Sequence, residues 1–383
     1  MSKQKRRDPL KGLIAWTIVL VLLAVGAIVG SRMLTDYRAG ILTGMQQEVR
    51  ERNLEKQNAY NQEVAEYNQK LSSNEANEAW PEAAQQGWDV IDLTNFPLEV
   101  PGTVNVSRAD VMNNGLLLVN EWHSRPDDFD ESGIVAVYTY AKDAGIPNFW
   151  SGSSNKLFPV AVDALVEALK AAREAGYSHY VIDDSYRTWD RQNELFQEQV
   201  EYYRERYPDY SEEKLIERAK TKINYPGTSE FNSGLSFTLF LYESGNETYK
   251  EKGFYELPEG QWFYENSWKY GLIFRFPKEN YPTADTTDKT YKTGMSQKLN
   301  CYRYVGNGNA AAMYHLDLCL EEYIEYLQEH THIAVFENGV KKYEITRQQV
   351  GDAATFTVDI NRLTNNYTMY LDNMGGLITV YAY

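Results

Sequence analysis

The sequence is poor in the residues that most often build metal centres and covalent cross-links. Its 383 residues include five His and two Cys. Cys301 and Cys319 are too few for a fold held by disulfides, and their spacing fits equally a single extracellular pair or two buried thiols. Cations are also scarce, with 38 Lys and Arg against 54 Asp and Glu, for a formal charge of −16. That balance argues against a nucleic-acid partner, because phosphate backbones demand clustered Lys and Arg. Internal repeats and low-complexity tracts are absent.

One long apolar run is present. Lys3, Lys5, Arg6, Arg7 and Lys11 precede an uncharged, mostly apolar stretch at 12–30, which ends before Arg32. Its length matches a bilayer-spanning helix and exceeds the apolar region of a secretory leader. The cations on its N-terminal side place residues 1–11 in the cytoplasm. The expectation is an uncleaved, single-pass anchor at 12–31 with the rest of the chain extracytoplasmic. Ala24-Val25-Gly26-Ala27 offers the alternative of a cleavage site.

Residues 32–85 read as a helical stalk and linker. Tyr60, Val64, Tyr67 and Leu71 follow a heptad-like spacing through which two copies of the chain could pair. A compact α+β domain is expected at 86–330. Its elements are a buried strand start at 116–120, a helix at 160–176, a strand at 180–182 and a charged helix at 190–207. Strands at 236–241 and 272–276, a helical patch at 265–270 and a helix at 320–328 complete it. After His330 short runs alternate in β fashion between Asn338-Gly339, Gly351-Asp352 and Gly375-Gly376, which predicts a β-rich C-terminal unit at 331–383. His330-Thr331-His332 at that junction reads as two solvated histidines.

The segment Pro226-Gly227-Thr228-Ser229-Glu230-Phe231-Asn232-Ser233-Gly234, continuing to Thr238, carries the chemistry question. It resembles the pattern P-G-x-S-E-H-x-x-G-x-x-x-D of the VanY-type D-alanyl-D-alanine carboxypeptidases. Four further segments resemble that family in the same order. They are Leu117-Leu118-Val119-Asn120 with Pro126, and Tyr186-Arg187 with Gln192 and Leu195-Phe196. Residues 270–277, and Tyr302-Arg303-Tyr304-Val305-Gly306 with Leu320-Glu321-Glu322-Tyr323, complete the set.

The resemblance covers about 116–327. It implies a peptidase core of mixed α+β fold with a small antiparallel sheet and flanking helices. It also implies hydrolysis at the D-Ala end of bacterial peptidoglycan stem peptides. In the family, zinc held by His, Asp and His polarises the scissile carbonyl, and a Glu acts as general base on the bound water.

Transferred onto this chain, the three ligand positions fall on Phe231, Thr238 and Cys301, and the base falls on Lys298. A phenyl ring and a neutral hydroxyl do not replace an imidazole and a carboxylate on zinc. A thiol alone does not make a catalytic site. The expectation is therefore that no zinc or other cofactor is retained. Phe231 reads as an apolar plug, and Lys298 as a stand-in for the lost positive charge.

The substrate-facing positions are retained. Arg187, Tyr186 and Gln192 match the family, Asp184 takes the place of its Ser, and Ser229 and Arg303 keep its pattern. An Arg suits a peptide C-terminal carboxylate, although Arg187 could instead pair with Asp183 or Asp184 inside the fold. Three readings follow. The first is a membrane-anchored pseudoenzyme that binds peptidoglycan stem peptide or a cell-wall protein. The second is an active D,D-carboxypeptidase with a non-standard site, using Cys301 as ligand or nucleophile. The third is a structural or assembly protein with a filled cleft.

Overall fold

The computed structural model describes residues 80–145, 150–151 and 154–383, with scattered positions between 29 and 55. The apolar run at 12–28 and the stripe at Tyr60, Val64, Tyr67 and Leu71 lie outside the described residues. Among those described, no helix is long and apolar enough to cross a membrane. The scattered positions between 29 and 55 are helical. One of them, Arg38, is buried against Glu201 and Glu212, so this part of the expected stalk touches the folded domain.

In chain order the strands are β1 (Trp88–Asp92), β2 (Pro101–Ser107), β3 (Val135–Ala136), β4 (Trp150–Ser151) and β5 (Lys156–Leu157). They continue with β6 (Tyr180–Ile182), β7 (Ser236–Leu241), β8 (Leu272–Phe274), β9 (Cys301–Tyr304) and β10 (His332–Glu337). The last are β11 (Val340–Gln349), β12 (Thr355–Asn361), β13 (Tyr367–Leu371) and β14 (Gly376–Ala382). The longer helices are α1 (Pro159–Glu174), α2 (Trp189–Arg206), α3 (Glu212–Lys220), α4 (Pro258–Asn266), α5 (Asn307–Leu316) and α6 (Leu320–Glu329).

One sheet, ordered β4-β6-β7-β9-β8, forms the centre of the peptidase-like part. All its neighbours pair antiparallel except β4 with β6. Helix α1 starts on Pro159, whose missing N–H costs nothing at a first helical position. It buries Val162, Leu165 and Leu169 against Phe237 and Tyr302 of that sheet. Each such apolar side chain contributes about 2 kcal/mol on leaving water.

The C-terminal strands do not close on themselves. Their sheet runs β1-β10-β11-β14-β13, so its edge strand comes from residues 88–92, while β12 pairs with β2. Ile333, Ile345, Ile378 and Val380 share one apolar core with α5 and α6. The β-rich unit expected at 331–383 is thus completed by strands from ahead of the central sheet.

Residues 116–120 were expected as a strand start. They are buried but lie outside any strand. Side chains satisfy their backbone instead. The Asn373 carboxamide accepts from Leu118 N–H at 2.8 Å, and Arg303 Nη2 donates to the carbonyls of Gly115 and Leu117 at 2.8 and 2.7 Å. Of the histidines at 330 and 332, one departs from the expectation of solvation. His332 is buried 3.1 Å from the Glu344 carboxylate, while His330 contacts Asp92 at 2.8 Å.

Candidate functional site

The segment at 226–238 is held by backbone geometry that requires its glycines. Gly234 has φ +70°, and a Cβ there would meet Ile134 and Phe158 at 2.9 Å. Between the glycines, Asn232 is fully buried and bridges two loops. Its side chain accepts from Gly227 N–H at 3.0 Å and donates to the Arg187 carbonyl at 2.7 Å. Arg187 N–H in turn donates to the Phe231 carbonyl at 3.0 Å. The Phe231 loop and the loop carrying Arg187 are therefore fastened together.

Strand pairing brings in the other positions. Thr238 on β7 stands opposite Cys301 on β9. The Thr238 hydroxyl accepts from Asp184 N–H at 3.0 Å, and Thr238 N–H donates to the Asp184 carbonyl at 2.9 Å. Phe231 packs with Cys301 and Phe276, and Met295 and Leu299 lie against them. The three positions expected to correspond to zinc ligands thus converge, and an apolar cluster fills their meeting point.

Arg187 completes the arrangement. Its guanidinium lies 4.6 Å from the centre of the Phe231 ring, an attraction of about 1 kcal/mol. It also pairs with the Asp184 carboxylate, and Nη1 donates to the Gln192 side chain at 3.2 Å. Gln192 is anchored by donation to the Asn224 carbonyl at 2.7 Å. The cation beside Phe231 is therefore Arg187. Lys298, expected to supply that charge, is exposed, with its ammonium 5.2 Å from the Tyr281 ring centre.

Ser229 and Arg303 lie inside the fold. Both are buried, and Arg303 sits in a network with Glu230, Arg275 and Glu321. The expectation that they face a substrate is corrected by this burial. Arg303 instead neutralises Glu230 and holds residues 115–117. Tyr186 remains half-buried, donating its hydroxyl to Glu131 with Arg125 beside it at 3.4 Å. Burial and the bond to Glu131 raise its phenol to about 12.

The network around Glu230 was not anticipated. The Arg275 Nε–Glu230 distance is 2.7 Å, and Arg275 reaches Glu321 through both terminal nitrogens at 2.9 and 2.6 Å. The available signal was Arg275 itself, a single cation inside the apolar run 272–276. A cation inside a buried apolar run demands a buried carboxylate partner.

Chemically, the set does not fit zinc. Phe231 offers no donor, and the Thr238 hydroxyl is engaged by Asp184. Burial and the neighbouring Glu230 push the Cys301 thiol well above its ordinary range, which disfavours the thiolate needed by a ligand or a nucleophile. Among the described residues no group of three or more His, Cys, Asp or Glu is placed to hold a metal ion. Cys301 and Cys319 are both buried and unpaired.

Residues 154–306 match the family described as VanY, D-alanyl-D-alanine carboxypeptidase. A D-alanyl-D-alanine carboxypeptidase of Enterococcus faecium is 31% identical over 274 residues, spanning 71% of this chain and 77% of the relative. A second, from Enterococcus faecalis, is 31% identical over 175 residues, 45% of this chain and 57% of its own length. The crystal structure of the vancomycin-resistance D,D-dipeptidase VanXYg with a D-Ala-D-Ala phosphinate analogue shares the fold. Its TM-score is 0.52 at 18% identity, covering 74% of this chain and 100% of that one. The chain has the mixed helix-and-sheet fold of this peptidase class. It belongs to the VanY-type D-alanyl-D-alanine carboxypeptidase family.

Proposed function

We propose that this chain is a non-hydrolysing member of its family, anchored in the cell membrane, whose extracytoplasmic domain binds the C-terminal end of peptidoglycan stem peptides. The observation that carries this reading is the packing of Phe231 with Cys301 in one apolar cluster, with Thr238 opposite Cys301 across β7 and β9 and Arg187 lying over the Phe231 ring. Without a Lewis acid and an activated water, the site retains only binding and orientation.

Arg187 is the anchor for a peptide carboxylate. A guanidinium has five N–H donors, and here two are directed at Asp184 and one at Gln192. The remaining donors and a side chain 22% exposed leave a route to ligand. Asp184 competes for the same fork, so affinity is expected to be modest. A second reading, a structural or assembly role with a closed cleft, is favoured by that same Arg187–Asp184 pair and by the burial of Phe231.

The test is titration of the full-length protein with a stem pentapeptide ending in D-Ala-D-Ala, comparing wild type with Arg187→Ala. Metal analysis and an assay for released D-Ala run alongside. Saturable binding lost in the variant, without D-Ala release, supports the proposal. Equal or absent binding in both proteins sinks ligand recognition and leaves the assembly role. Turnover with stoichiometric zinc overturns the non-hydrolytic reading.

A further inference from the structure

A second concavity lies away from the Phe231 cluster and shares no residue with it. It is a cavity of about 500 Å³ between the end of α4, β8, α5 and the 277–289 loop. That volume lies in the range of small-molecule sites, about 300–1,000 Å³. Tyr264, Trp268, Phe274 and Tyr314 supply aromatic walls. Trp268 and Tyr314 stack at 5.0 Å with 19° between planes, and Tyr314 is 41% exposed at the mouth.

The charge of the lining is one-sided. Glu265, Asp285 and Asp317 contribute carboxylates, and none of them has an ion-pair partner among the described residues. The one cation in the lining, Lys289, is already held by Glu322 at 2.9 Å and by the Asp317 carbonyl at 3.1 Å. Ser267, 2% exposed, also lines the cavity.

We propose that this cavity binds a small organic cation, an alkyl ammonium whose apolar body lies against the aromatic walls and whose charge meets Asp285, Asp317 and Glu265. Aromatic faces and unpaired carboxylates act in the same direction on such a ligand, because ring quadrupoles and anions both attract a cation. An anionic ligand would meet three carboxylates with no uncommitted cation in the lining, and a purely apolar one would leave those carboxylates without a counter-charge. The ammonium has two sources, a free amine or the side chain of a lysine-type residue in a peptide.

Calorimetric titration of the full-length protein with cadaverine, Nα-acetyl-lysine amide and the neutral Nα,Nε-diacetyl-lysine amide separates these. At least one amine is expected to saturate and quench Trp fluorescence, while the neutral analogue does not bind. Preference for cadaverine points to a free amine, and preference for the lysine amide to a peptide side chain. Asp285→Asn, on the exposed loop, should weaken the amine about tenfold without moving the thermal midpoint. Glu265→Gln serves as the second variant should the first unfold. Lack of saturable binding by both amines overturns the proposal. So does equal binding of the neutral analogue, or affinity unchanged in a folded charge variant. The pentapeptide experiment at Arg187 is independent, so either result stands without the other.

Discussion

Replacing Glu230 by Gln removes the anion between two fully buried guanidiniums, Arg275 and Arg303. Burial by itself would raise this carboxyl, but Arg303 and Arg275 overcome it and hold the group at about 2, against 4.5 for a free Glu. The difference, 4.5 minus about 2, is about 2.5 pH units, or roughly 3 kcal/mol at about 1.4 kcal/mol each. Breaking a buried pair by removing one partner costs about 3–5 kcal/mol by general experience, in agreement. For a domain of this size the thermal midpoint should fall by roughly 6–12 °C. The pH dependence has a definite sign. A carboxyl depressed in the folded state contributes stability that is complete above about pH 4.5 and is lost as pH falls toward about 2. Wild type should therefore lose more stability than Glu230→Gln across that window. The assay is a thermal scan of both proteins at pH 7, with denaturant titrations between pH 5 and 2.5. A variant midpoint within about 2 °C of wild type, or parallel pH profiles, would refute the reasoning.

Two further outcomes are expected. The triple variant Phe231→His, Thr238→Asp, Cys301→His should acquire about one zinc per chain by metal analysis where wild type takes none, because the loop clasp and the β7–β9 register bring these positions together. A folded triple variant without metal would show that the positions no longer share a centre. Cys301 and Cys319, both buried with thiols pushed up first of all by burial, should resist iodoacetamide in the folded protein and react on unfolding. Rapid native labelling of Cys301 would contradict its burial in the cluster.

Helix α1 and strands β6 and β7 were legible because their apolar periodicity and flanking turn residues are local. The strands β10 to β14 were legible for the same reason, through alternation between Gly-containing turns. Helices α3, α4 and α5 escaped notice. Helix α5 begins Asn307-Gly308-Asn309 and buries residues around much of its circumference, so it lacks a polar face to mark the period. Strands β1 and β2 were missed because each is defined by a partner more than 200 residues away, in β10 and β12. Phe231 and Cys301 share one apolar cluster, and Thr238 stands opposite Cys301 across β7 and β9. Lys298 was misplaced because sequence spacing does not fix the direction of a side chain on a loop.

The sequence by itself determined family membership, since this depends on which residue types occupy motif positions. No arrangement of a phenyl ring, a threonine hydroxyl and a buried thiol supplies the donors of an imidazole and a carboxylate. What only the tertiary structure decided is which charges face one another. Arg187 and Arg303 are the same residue type in matching motifs, yet one lies at 22% side-chain exposure over Phe231 and the other at 0% against Glu230. The difference arises from packing. The β7–β9–β8 pairing directs Arg303 inward beneath residues 115–117, whereas Arg187 sits just ahead of α2, where its side chain keeps contact with solvent.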